Sequence, residues 1–80
     1  MWFRQETIVQ KPVNEGACYR RSRGPDIVET AKVIAVVPDG LGIPHVRFFL
    51  QIQSPCEVAF EQRTLALQSF ASLYGEQIGA

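Results

Sequence analysis

The chain is poor in the groups that catalysis and metal binding draw on. It has a single histidine, His45, two cysteines, Cys18 and Cys56, with no CxxC spacing, and neither a GxGxxG nor a GxxxxGK phosphate loop. Two cysteines fall short of the disulfide framework of a small secreted scaffold, so reduced, packed thiols are expected. Cys18, His45 and Cys56 also lack the short paired spacing that pre-organises structural zinc. Glu57 and Glu61, four apart, would share one outward face of a strand without a partner for acid–base work. No metal, no cofactor and no catalytic residue is therefore expected, and the chain reads as a non-enzyme.

Charge of one sign is not in excess. Eight Lys and Arg balance eight Asp and Glu, which argues against a strongly basic nucleic-acid binder. Residues 1–32 hold six basic and four acidic groups and residues 33–80 two and four, a mild dipole. Neutrality lowers colloidal repulsion, which favours self-association, and a homodimer is one expectation. Long apolar runs are missing as well. The first residues, MWFRQETIVQ, hold none of signal-peptide length, and the longest in the chain is Val33 to Val37. The expectation is a cytoplasmic protein with no membrane span.

What is present is strand-like. Of 80 residues, 46% are hydrophobic and 20% charged, as in a folded globular domain. A chain of this length makes one domain that buries roughly 60–65% of its unfolded surface. β-branched and aromatic residues come in short runs separated by Gly, Pro, Asn and Asp. The clearest run is HVRFFLQIQ, residues 45–53, which puts Val46, Phe48, Leu50 and Ile52 on one face and His45, Arg47, Phe49, Gln51 and Gln53 on the other. DIVETAKVIAVV, residues 26–37, pairs with it across the PDGLGIP loop, and its apolar second half is expected to be covered on both sides.

EVAFEQRTLAL, residues 57–67, reads as a further strand or two, with Val58 and Phe60, then Leu65 and Leu67, facing inward. SFASLYG reads as a short helix with Ser69 as N-cap, an apolar set in Phe70, Leu73 and Tyr74, and a stop at Gly75. An early strand spans residues 17–21, with the GPD turn after it. Residues 1–15 form an arm or edge strand, partly mobile; residues 16–75 are the domain, and 76–80 a tail. The fold class is mainly β: a small SH3-like barrel, or a strongly bent antiparallel sheet of about five strands, with a short C-terminal helix. An OB-like or open α+β meander fits the same elements.

Over about residues 16–75, the succession of Tyr19, VETAKV at 28–33, HVRF at 45–48 and TLALQSFASLY at 64–74 resembles small bacterial SH3-like or Tudor-type barrels that close with an SFxxxY turn. The resemblance is to an architecture and implies a closed barrel.

Function then rests on surfaces. Phe49 lies opposite the apolar quartet, beside Arg47 and His45, and Trp2 and Phe3 have no evident core role, so these five are the candidate protein interface. His45, at the base of the loop, is expected to cap the hairpin by hydrogen bonding. The loop DGLGIPHV is comparable to a carboxylate-binding GLGF loop, but Pro44 removes a donor that such a site needs. The stretch CYRRSRGPD offers a second class of partner: Arg20, Arg21 and Arg23 for the phosphates of RNA or single-stranded DNA, with Tyr19 or Phe49 stacking on bases. The alternative, favoured by the neutral total and by Asp26 and Glu29 close by, is that the three arginines only occupy a solvated strand end and turn; on either reading, replacing them together leaves folding intact.

Overall fold

The computed structural model describes residues 13–79. Strands β1 (Cys18–Arg23), β2 (Ile27–Pro38), β3 (Pro44–Gln53) and β4 (Val58–Ala66) run in succession, followed by helix α1 (Leu67–Leu73) and strand β5 (Glu76–Gly79). All strand pairs are antiparallel, in the order β4-β3-β2-β1-β5. The described residues are thus mainly β, one sheet of five strands with a short helix. Among the described residues the sheet is not closed into a barrel: β4 and β5 are its opposite edges.

Each turn follows from local chemistry. Gly24, at φ +73°, supplies the left-handed step between β1 and β2. Between β2 and β3, the Asp39 carboxylate accepts the N–H groups of Leu41 and Ile43 at 2.8 and 2.9 Å. Those bonds hold its carboxyl below the usual carboxylate range. Pro38 and Pro44 pair with each other as the last rung of the ladder, so the loop is shorter than the PDGLGIP stretch suggests. Between β3 and β4, the Ser54 N–H donates to the Glu57 carbonyl at 2.9 Å across Pro55 and Cys56.

The core lies on one face of the sheet. Val33, Val46, Phe48 and Leu50 are buried there with Ala17, Tyr19 and Ala31, and they are covered by Phe70 of α1 and by Tyr74, the residue that follows it. Phe70 meets Phe48 at 4.9 Å and Tyr19 at 5.5 Å between ring centroids, both edge-on, the geometry that aromatic quadrupoles favour. Among the described residues no helix is long and apolar enough to cross a membrane.

Several expectations need correction. The second half of β2 is not covered on both sides: a bulge between Val33 and Ala35 interrupts the register, and Ile34 remains 37% exposed. In β4, Val58 and Phe60 point away from the core, because the ladder from Gln53↔Val58 to His45↔Ala66 runs without a break. Period two then puts Ala59, Glu61, Arg63 and Leu65 on the helix face, Glu61 included. The helix begins at Leu67 after Ala66, with no side-chain cap, so Ser69 lies inside it. Residues 76–79 are not a tail but β5, which pairs with β1, and β1 itself extends to Arg23. The expected arm at residues 1–15 falls almost wholly outside the described residues; Val13 packs against the core.

Candidate interaction surface

The face of the sheet opposite α1 is built by strict alternation. On β3 it shows His45, Arg47, Phe49, Gln51 and Gln53; on β4 it shows Val58, Phe60, Gln62 and Thr64. The register sets Phe49 opposite Gln62 and Phe60 opposite Gln51, which makes the two rings diagonal neighbours, within reach of each other on a sheet. Phe49 is 54% and Phe60 75% exposed, and Val58, also exposed, follows Phe60 on the same strand face. Lys32, on the other side of Phe49, and Arg47 supply a basic rim. The sequence signalled Phe49; it concealed Phe60, whose apolar side chain was expected inward. Trp2 and Phe3 lie outside the described residues.

His45 ties the hairpin. Its Nδ1 stands 2.9 Å from the Ile43 carbonyl, a bond in which the protonated Nδ1 donates, and 3.8 Å from an Asp39 oxygen. Replacing it with Gln should cost about 0.5–1.5 kcal/mol of stability, read by urea denaturation. An unchanged midpoint would show that this bond contributes nothing to the fold.

The basic stretch is organised quite differently from a solvated turn. Tyr19 is buried against Phe70, and its hydroxyl accepts the Asn14 N–H at 3.1 Å, so its ring cannot stack on a base. Arg20 turns outward and grips Glu76 of β5 at 2.9 Å. Arg21 and Arg23, on the helix face, converge on Glu29, which is 1% exposed. Arg23 Nη1 donates to one Glu29 oxygen at 2.7 Å, and the Tyr74 hydroxyl donates to the other at 2.8 Å. Arg21 lies 3.9 Å from Glu29 and 6.0 Å from the Tyr74 ring centroid.

Burial pushes the Glu29 carboxyl up, yet the bonds from Arg23 and Tyr74 and the charges of both arginines hold it below its ordinary value. Burial and the neighbouring carboxylate push the Tyr74 hydroxyl up, which keeps it a donor. Period two had already put Glu29 on the face of Ala31 and Val33, a signal that its polar nature obscured.

Among the described residues no three His, Cys, Asp or Glu side chains gather in a group that could hold a metal. Both cysteines are free thiols, Cys18 half-buried and Cys56 exposed. Two shallow hollows, of ≈ 180 Å³ beside Tyr19 and Tyr74 and ≈ 280 Å³ beside Ile43 and Leu67, are smaller than ordinary ligand pockets. Compared with protein-family models, curated proteins and solved structures, the chain matches none.

Proposed function

We propose that this domain is a non-catalytic interaction module, working in the cytoplasm, that binds a protein partner or a second copy of itself through the outward face of β3 and β4. The observation that supports it is the pair of exposed phenylalanines, Phe49 and Phe60, on adjacent strands beside Val58. Aromatic anchors within a polar rim are what protein interfaces favour, and Arg47, Gln51 and Gln62 provide such a rim here. RNA or single-stranded DNA is less well supported. Of its expected contacts Tyr19 lies in the core, and Arg20, Arg21 and Arg23 already face carboxylates.

Two measurements test this. The double variant Phe49→Ser, Phe60→Ser should stay folded, losing about 1 kcal/mol or less from two largely exposed rings. It should also lose the proteins that the immobilised wild-type chain retains from its native extract; undiminished retention would refute the outward face as the binding surface. A fluorescence anisotropy titration against mixed single-stranded RNA and DNA at low salt should stay flat. A rise that Arg20, Arg21 and Arg23 substitutions remove would instead favour the nucleic-acid reading.

A further inference from the structure

We propose that β4 pairs antiparallel with β4 of a second copy about a two-fold axis at Gln62, joining two five-stranded sheets into one. The inference goes beyond the function proposed above and uses a different surface: the edge of the sheet, not the outward face of β3 and β4.

The first support is an unprotected edge. β4 is nine residues long, and among the described residues no strand lies on its outer side. It contains no Pro, no Lys and no bulge, three of the devices that keep natural edges from pairing.

The second support is the direction of the backbone groups. Because Ser54 donates to the Glu57 carbonyl, those two residues form a hydrogen-bonded pair. Alternation along the unbroken ladder turns the N–H and C=O of Ala59, Glu61, Arg63 and Leu65 toward β3. The same groups of Val58, Phe60, Gln62 and Thr64 therefore point to the free edge. An axis at Gln62 sets Gln62 against its own copy and Phe60 against the partner's Thr64, so each outward group meets another. This register also gives the longest overlap, since Gln62 is the middle of Val58–Ala66.

The third support is charge. In this register Glu61 faces the partner's Arg63 and Arg63 faces the partner's Glu61, in the non-hydrogen-bonded pairs where side chains come closest. Within one chain Arg63 already reaches Glu61 at 2.6 Å, so dimerisation would close a ring of four alternating charges. Sliding by two residues either way opposes Glu61 or Arg63 to its own copy. Inward charges that would normally blunt an edge here select one self-complementary pairing.

The test uses the full chain. Light scattering after size-exclusion chromatography should give a dimer at about 100 µM chain, a concentration at which micromolar affinity suffices. Glu61→Arg alone should weaken it about 30-fold, because two attractive pairs become repulsive, while Glu61→Arg with Arg63→Glu restores it. Amide exchange should show Phe60, Gln62 and Thr64 gaining protection as the dimer forms, with Glu61 and Arg63 protected throughout. Phe49→Ser should leave the dimer intact, which separates this edge from the outward face. A monomer at all concentrations, or a dimer indifferent to the charge exchange, overturns the pairing while leaving a foreign partner on Phe49 and Phe60 untouched.

Discussion

Phe70→Ala should unfold much of this protein's stability margin, with a loss of about 3–5 kcal/mol in urea denaturation. A domain of this length holds roughly 4–12 kcal/mol in total, so the variant should be marginal at room temperature. The reason is position. Phe70 is the buried residue of a helix only seven residues long, and its ring touches Tyr19 from β1, Phe48 from β3 and Tyr74, the residue that ends α1. A two-turn helix without a side-chain cap has little stability of its own, so the helix depends on this contact as much as the core does. Leu73→Ala, at a position 39% exposed on the same helix, should cost only about 1 kcal/mol or less. Equal losses for the two variants would mean that α1 is held by something other than the aromatic cluster.

Removing the Glu29 side chain should be the second most damaging change. Glu29→Ala strands the Tyr74 hydroxyl, releases Arg21 and Arg23 from their anchor and opens a void, for about 2–4 kcal/mol in all. Arg23 is half exposed, so screening trims the ionic share of that figure and the buried bonds carry most of it. The pH dependence has a defined sign. Glu29 titrates below its ordinary value of 4.5 in the folded protein, so its contribution is complete above about that pH and is lost as pH falls through the lower folded value. Glu29→Gln, which keeps the shape but not the charge, should flatten this acid limb. An identical acid limb in wild type and Glu29→Gln would remove Glu29 from the account. The same network reverses the expectation that replacing Arg20, Arg21 and Arg23 together leaves folding intact: two of the three serve a buried carboxylate.

How far the sequence foretold these features depended on the distance over which each is decided. β3 was legible because period two is a local property: Val46, Phe48 and Leu50 are buried and Phe49 is not. The turn at residues 24–26 and the β2–β3 pairing were legible for the same reason. β4 is ambiguous in the sequence because its apolar residues change parity between Phe60 and Leu65, and only the hairpin at Pro55 and Cys56, by setting the ladder, decides which set faces the core. The partners of the arginines were out of reach altogether. Tyr74 stands 45 residues from Glu29 and Glu76 stands 56 from Arg20, and neither spacing leaves a trace in a local pattern. β5 is invisible in the sequence because EQIG carries no strand pattern of its own; its backbone is recruited by β1. The outward surface was half visible: Phe49 declared itself, while Phe60 looked like core.

The pairing of β5 with β1 also sets how the domain would respond to tension. Cys18, where β1 begins, lies beside Gly79, where β5 ends, so the chain enters and leaves the sheet at one corner. A pull on both ends there loads the short β1–β5 ladder one rung at a time, because its hydrogen bonds lie across the strands and along the force. β5 should peel first, like a zip, and Arg20–Glu76 is the only ion pair along the seam among the described residues. Spliced into the loop of another protein through that corner, the domain would hold its host's two ends a strand's width apart, yet yield early when they are drawn away from each other.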